Sequence, residues 1–240
     1  MASPGKYRSE PKHESETNLS EQVTQSTLGP RVDIQVSFDR PTHSYSQTEP
    51  PRIFIAVTSR AQHPITLYTW RRPLDPKGAL TSNGYVINDL TTGDPVKTTK
   101  IMINRGPQLR VRGCSDDPFF LTLQPNNPVQ LSTGFGRGGG GIKPDPRAVV
   151  ERGWEQDEHG NERKIRRSTQ ATGVDGLEPG HTYSVGLNME DLGGCWWAPA
   201  TRDDILVDHR GEESYVQDYS WYTETPLDFR VREAKIEVLD

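Results

Sequence analysis

The residues best suited to form a binding site in this chain are aromatic and lie near its C-terminal end. Aromatic side chains commonly line sites for apolar or aromatic small molecules, because they offer a large contact area at little cost in entropy. Trp196 and Trp197 are adjacent, so on an extended segment they must point to opposite sides. We therefore expect at least one of them to face a loop surface or a cavity. Six such rings fall within 27 residues: Trp196, Trp197, Tyr215, Tyr219, Trp221 and Tyr222.

The same rings could instead fill the core of the protein or cover its open end. Trp70 and Arg71, which end an earlier strand candidate, could join either arrangement. A deep apolar pocket that contains an arginine or a carboxylate would favour catalysis, whereas a flat exposed patch would favour a protein partner. The predicted ligand-binding residues are Trp70, Arg71, Trp196, Trp197, Trp221 and Tyr222.

A glycine-rich stretch, TGFGRGGGG at 133–141, matches the pattern G-x-G-x-x-G. That pattern binds a dinucleotide where a strand leads into the glycines and a helix follows, since the helix N-terminus holds the pyrophosphate. Here Pro144 and Pro146 disfavour an immediate helix. Six of the eight residues from 134 to 141 are glycine, so composition alone accounts for the match. The stretch is predicted to be a mobile hinge and the protein to be independent of nucleotides.

No other motif identifies a catalytic or metal-binding residue. The six histidines are scattered, with none at a metal-ligand spacing, and neither cysteine lies in a nucleophile signature. The acidic residues around His209 lack the spacing of a calcium loop and predict a solvated loop. These residues are Asp203, Asp204, Asp208 and Asp218. The sequence therefore predicts no metal and no cofactor.

Short strands separated by turns must position any site. VDIQVSF at 32–38 alternates apolar and polar residues, which predicts a strand with one buried face. RIFIAVTS at 52–59 is almost continuously apolar, which is typical of a central strand covered on both sides. No amphipathic helix is expected between the strands. Seven further strands are predicted at 65–70, 84–89, 96–103, 119–123, 129–133, 182–187 and 228–239.

Nine strands joined by turns predict an all-β fold, an antiparallel β-sandwich that spans residues 31–240. Residues 1–30 are too polar to bury enough surface for folding, so we expect a flexible tail there. The segment 134–176 breaks the rhythm of strands and turns, and it predicts a long charged loop insertion.

Charge and hydropathy restrict the partners and the compartment. The formal net charge of −5 lies mainly after residue 200, which argues against a nucleic-acid partner. The N-terminal residues carry no apolar signal segment, and no stretch approaches the ~20 apolar residues of a membrane helix. We expect a cytoplasmic protein with no membrane partner, in which Cys114 and Cys195 are free thiols.

Several segments together resemble a known module. LEPGHTY at 177–183 has the spacing of a tyrosine corner, in which the Tyr hydroxyl bonds to upstream backbone. With the segments at 64–80, 85–96 and 123–131, it resembles the immunoglobulin-like accessory domain of deuterolysin-type and peptidyl-Lys metallopeptidases, over roughly residues 31–188. Their zinc motif H-E-x-x-H is absent here. The resemblance implies a stand-alone immunoglobulin-like sandwich of fungal type without peptidase activity.

Two functions fit these observations. The first is a binding module that recognises a small apolar or aromatic organic ligand, or a protein partner, through the Trp-rich loops. The alternative is a cofactor-independent cyclase or isomerase of fungal secondary metabolism. Such an enzyme can work by positioning its substrate, so it would leave no motif in the sequence.

Overall fold

The computed structural model describes residues 29–137, 143–148, 154–156, 158–164 and 170–240. Within these residues the strands are β1 (Arg31–Phe38), β2 (Thr42–Ser44), β3 (Arg52–Ser59), β4 (Ile65–Tyr68), β5 (Tyr85–Asp89), β6 (Pro95–Val96), β7 (Phe120–Leu123), β8 (Val129–Gly134), β9 (Trp154–Gln156), β10 (Glu162–Lys164), β11 (Thr182–Leu187), β12 (Trp196–Ala198), β13 (Asp228–Arg232) and β14 (Ala234–Leu239). The α-helices that lie wholly within the described residues are α1 (Pro76–Ser82), α2 (Met189–Gly193) and α3 (Arg202–Ile205). Single 3-10 turns cover Asp117–Phe119, Glu212–Ser214 and Val216–Asp218.

Two sheets enclose the main core. The first has the strand order β13-β1-β3-β8 and the second has the order β2-β14-β11-β5-β6. Buried side chains of both sheets meet in one cluster, with Ile34 and Ile55 from the first and Ile87 and Val185 from the second. The all-β sandwich prediction is confirmed. Because β1 pairs with β13 and β14 pairs with β2 in parallel, the sheets are mixed rather than wholly antiparallel.

The burial predicted from the sequence is confirmed for β1 but only in part for β3. Along β1 the burial alternates, with Val32 and Val36 fully buried on the core face. β3 lies between β1 and β8, so it is central as predicted. Its core face is buried, but Phe54 and Ala56 on the other face are only half-buried. The expectation that β3 is covered on both sides is therefore wrong, because the described residues close over its second face only in part.

Two predicted strands are interrupted where the chain changes its neighbours. Only the first residue of the predicted strand 96–103 lies in β6; beyond it, Thr98 and Lys100 form only isolated bridges. The predicted strand 228–239 breaks at Glu233, because β13 joins the first sheet and β14 joins the second. The strand predicted at 65–70 ends at Tyr68. The three-residue strands β2 and β12 were not anticipated, nor were the short helices.

The tyrosine corner forms as predicted. The Tyr183 hydroxyl accepts a hydrogen bond from the backbone N–H of Glu178 at 2.9 Å. The turn between them passes through Gly180, whose φ of 80° favours glycine. The N–H of Gly180 donates to the carbonyl of Val238, so the corner is also tied to β14.

The ends of the predicted insertion are anchored in the core. Phe135 is fully buried, with its ring 5.2 Å from Phe38 and 5.3 Å from Tyr85. Its carbonyl accepts a hydrogen bond from the N–H of Val174, which is buried as well. Residues 171–177 thus belong to the sandwich, and the insertion ends before them. Of the hinge predicted at 133–141, Thr133 and Gly134 end β8 and Phe135 is buried, so this part packs in the fold rather than forming a hinge. Residues 138–141 of that stretch, and residues 1–28 of the tail predicted at 1–30, lie outside the described residues. Residues 143–146 carry no helix, as expected.

A third sheet, with the order β12-β4-β7, lies beside the sandwich and carries a second, smaller core. Buried side chains of this core are Tyr68, Phe120, Ala198, Ile205, Leu206 and Val216. None of the helices in the described residues is long and apolar enough to cross a membrane.

Candidate functional site

A cleft of about 320 Å³ opens where β4 ends, next to the second core. We call it the tryptophan cleft. It brings together residues from four segments that are far apart in sequence. They are Tyr68, Trp70, Arg71, Arg72, Ser82, Lys100, Ile101, Met102, Ile103, Gln108, Gly194 and Trp196.

Arg71 builds one wall of the cleft by holding two segments together. Its φ of 53° is unusual for a residue with a side chain, and its N–H donates to the carboxylate of Asp75 at 3.0 Å. Asp75 also accepts from the N–H of Gly78 and so caps α1. The Arg71 guanidinium donates to the carbonyls of Thr81 and Ile101. Arg71 therefore ties the end of α1 to the segment that begins at Ile101.

The ring of Trp70 contacts a cation that is not part of the cleft lining. The guanidinium of Arg105 lies 5.0 Å from the centroid of the Trp70 ring. Arg105 also forms an ion pair with the carboxylate of Asp116, whose side chain is 3% exposed. Asp116 accepts a further hydrogen bond from the N–H of Leu109, which holds the carboxylate that pairs with Arg105 in place.

Trp196 and Trp197 point to opposite sides, as predicted from their adjacency. β12 pairs with β4 so that Trp196 lies opposite Tyr68, with 6.5 Å between the ring centroids. Trp196 lines the tryptophan cleft, whereas Trp197 is buried in the main core. The indole of Trp197 donates to the carbonyl of Thr225, and its ring packs 4.9 Å from that of Tyr222.

Trp221 belongs to the second core. Its ring lies 6.3 Å from both Phe120 and Trp196, and its indole N–H donates to the carbonyl of Val216 at 2.6 Å. Of the six predicted ligand-binding residues, the structure thus brings Trp70, Arg71 and Trp196 together at the cleft. Trp197, Trp221 and Tyr222 lie outside the lining of this cleft, where they pack against core side chains or each other.

The sequence analysis missed the apolar segment that forms the other wall. Met102 is 86% exposed, and about half of Ile101 and of Ile103 is exposed. Three consecutive large apolar residues on a surface segment are costly in water unless something covers them. The signal in the sequence is the run Ile-Met-Ile itself, which lies within the strand predicted at 96–103.

The polar lining of the cleft is cationic. Arg72 and Lys100 line it together with Arg71, and no carboxylate is present in the lining that the structure describes. Arg72 has a distant partner, Asp191, at 3.8 Å. This distance exceeds that of a hydrogen bond, so the Arg72 donors remain available.

Two hydroxyl groups of the lining are buried without a hydrogen-bond partner among the described residues. They belong to Tyr68, which is 7% exposed, and to Ser82. Burial raises the pKa of the Tyr68 phenol far above its usual range, so this hydroxyl stays protonated and can donate. A buried hydroxyl without a partner is costly, and a bound ligand or water would relieve that cost.

A second cleft of about 620 Å³ adjoins the first. Trp70, Arg71 and Ile103 line both, so this wall separates the two spaces. The second cleft is bounded by α1 and by the root of the insertion, and its lining includes Lys77. We call it the α1 cleft.

Other predicted features lie away from both clefts. Asp203 and Asp208 are more than three-quarters exposed and pair with Arg112, which confirms a solvated acidic loop at this place. Cys114 and Cys195 are both free thiols, as predicted. Within the described ranges, no group of three His, Cys, Asp or Glu side chains is arranged to hold a metal ion.

Comparisons with known proteins give no family for the chain. No protein-family model matches it, and no curated protein matches it either. The resemblance to a metallopeptidase accessory domain stays a prediction.

Proposed function

We propose that this protein is a binding module for a small apolar or aromatic organic ligand, which occupies the tryptophan cleft. One observation carries the proposal. The indole rings of Trp70 and Trp196 and the exposed segment Ile101–Ile103 line the same cavity. Apolar and aromatic walls with a few polar groups are the usual composition of small-molecule sites. The volume of about 320 Å³ falls at the lower end of their range.

A concave site favours a small ligand over a protein partner. A flat exposed aromatic patch would have favoured a partner protein, yet Trp197 is buried and Trp221 is partly covered by the second core. The tryptophans of the candidate site instead border a cavity. A ligand there would remove the apolar side chains of Ile101 and Ile103 from water, at about 25 cal/mol per Å² of area covered.

Gly194 offers a way to fill the cleft without disturbing the fold. Its φ of −85° is accessible to any residue, and an added Cβ would first meet Arg72 Nη1 at 3.4 Å. Gly194→Leu therefore projects a side chain into the cleft. Gly193→Leu is the matched control, because Gly193 is exposed, is absent from the lining, and has no atom within 4 Å of an added Cβ.

The test uses the neutral aromatic probe N-phenyl-1-naphthylamine, excited directly, with the full chain. We expect its emission to rise on binding to the wild type and to Gly193→Leu, and Gly194→Leu to weaken binding at least tenfold. Thermal unfolding of both variants checks that each is folded. Equal binding by the two variants, or no binding by the wild type, would overturn the proposal.

A cofactor-independent cyclase or isomerase is the second candidate, and the cations beside the rings favour it. Arg72 and Lys100 could stabilise negative charge on a substrate that Trp70 and Trp196 orient. The test compares metabolites of the source organism after deletion of the gene and after its return as wild type or Gly194→Leu. A metabolite lost on deletion and restored only by the wild type would support catalysis; an unchanged profile on deletion would exclude it.

A further inference from the structure

The charge of the tryptophan cleft is opposite to that of the whole chain. The protein carries a formal net charge of −5, yet the described lining of this cleft holds three cations and no carboxylate. The cations do not share one role. Arg71 donates to backbone carbonyls and serves the wall, whereas Arg72 and Lys100 have donors to offer.

Of the three cations in the lining, Lys100 has the fewest interactions with other described residues. Its side chain is exposed, and within the part of the chain that the structure describes its ammonium forms no ion pair. Its backbone is placed by a bridge to Ser82, and Ser82 carries one of the buried hydroxyls without a partner. The bridge therefore sets a cation and a hydroxyl side by side in the lining of the cleft.

The hydroxyl of Tyr68 is an independent indication that the cleft binds a hydrogen-bond acceptor. Its ring is nine-tenths buried at the wall of the cleft, and its hydroxyl has no partner among the described residues. A protonated phenol donates one hydrogen bond, so an acceptor in the cleft would satisfy it. Hydrogen bonds from neutral or cationic donors to an ionised acceptor are about twice as strong as those between neutral groups.

We propose that the ligand of the tryptophan cleft is an organic anion, whose apolar body packs on Trp70 and Trp196 and whose carboxylate or sulfonate group binds Lys100 and Arg72. This inference rests on the proposed function, because it names the class of ligand for the same site. The hydroxyls of Tyr68 and Ser82 are the further donors for the anionic group.

The experiment compares two probes that share one aromatic body. 8-Anilino-1-naphthalenesulfonate carries the anionic group, and N-phenyl-1-naphthylamine lacks it. We expect the wild type to bind the sulfonate about tenfold more tightly than the neutral probe, and added salt to reduce this difference. Displacement of the sulfonate by 1-naphthoate at lower concentration than 1-naphthalenemethanol requires would extend the result to carboxylates.

Three variants locate the anionic group. Lys100→Met is expected to weaken sulfonate binding about tenfold while leaving the neutral probe unchanged. Tyr68→Phe keeps the ring and is expected to weaken the sulfonate several-fold. Lys77→Met is the matched control, since Lys77 is an exposed lysine that lines the α1 cleft instead.

The failure of this inference is distinguishable from that of the proposed function. Equal affinity for the two probes, or loss of the preference in Lys77→Met instead of Lys100→Met, overturns the anion site while the neutral probe still binds. Binding of neither probe by the wild type overturns both proposals.

Discussion

The guanidinium of Arg105 lies 5.0 Å from the centroid of the Trp70 ring and forms an ion pair with Asp116. One side chain thus connects an aromatic wall of the cleft with a buried carboxylate. Because Asp116 is 3% exposed, its charge depends on Arg105 and on the N–H of Leu109 for compensation. The wall formed by Trp70 and the stability of the fold are consequently coupled.

Arg105→Met is expected to destabilise the protein strongly. The Asp116 carboxylate is buried and would lose its ion-pair partner, although Arg105 itself is 28% exposed. We expect a loss of about 1.5–3 kcal/mol, the range for hydrogen bonds to charged groups. Chemical denaturation measures the change in the free energy of unfolding. Arg112→Met is the control, because its partners Asp203 and Asp208 are solvated and the loss of stability should be much smaller. Similar losses in the two variants would mean that Asp116 does not depend on Arg105.

Tyr183→Phe is expected to cost about 1–2 kcal/mol in the free energy of unfolding. The variant keeps the ring but leaves the N–H of Glu178 without the hydroxyl that accepts its hydrogen bond. Tyr222→Phe serves for comparison, since Tyr222 is half-exposed and packs on Trp197 through its ring. Both variants are compared by denaturant midpoint at constant slope. If Tyr183→Phe is as stable as the wild type, the hydrogen bond of the tyrosine corner does not stabilise this sandwich.

The features predicted correctly from the sequence depend on short-range geometry. The tyrosine corner spans only the residues from Glu178 to Tyr183, and one turn fixes it. The opposite directions of Trp196 and Trp197 follow from the period of an extended chain. Alternation along β1 likewise decides which face is buried.

The features that were missed depend on partners distant in sequence. The pairing of β12 with β4, which are more than 120 residues apart in sequence, decides which of the two tryptophans faces the cleft. Ile101 leaves the strand pattern because the guanidinium of Arg71 and the bridge at Lys100 hold its segment, and no strand among the described residues pairs with it in a longer ladder. Neither contact has a local sequence signal.

Gly173→Ala is expected to be far more destabilising than Gly180→Ala. Both glycines have positive φ, at 72° and 80°, so alanine strains the backbone at each by about 1–2 kcal/mol. At Gly173 an added Cβ would also collide with the backbone carbonyl of Phe135, whereas at Gly180 no atom lies within 4 Å. We expect this clash to add about 1–3 kcal/mol, since Phe135 is fully buried and has no room to move.

Thermal and urea unfolding of the two glycine variants measure the difference directly. The comparison isolates the clash, because the backbone strain is common to both. An equal loss of stability would show that residues 171–177 can separate from Phe135, and the anchoring of the insertion in the core would have to be rejected.

His43 is expected to make the protein less stable in mild acid. The side chain is fully buried, and neither ring nitrogen has a partner among the described residues. Burial, with a smaller contribution from the charge of Arg40, lowers the pKa of His43 from about 6.5 to about 4. Between these values the unfolded chain binds one more proton than the folded protein, so stability falls as the pH decreases from about 6.5 to about 4.

Urea unfolding between pH 7 and pH 4.5 tests the contribution of His43. The slope of the free energy of unfolding against pH should approach about 1.4 kcal/mol per pH unit below pH 6, since one proton is taken up on unfolding. His43→Leu removes the titrating group from the core and should flatten this part of the curve. His63→Gln, at an exposed position, should retain it. If His43→Leu and the wild type lose stability in parallel, the acid sensitivity originates in other groups, and His43 is accommodated in its protonated form.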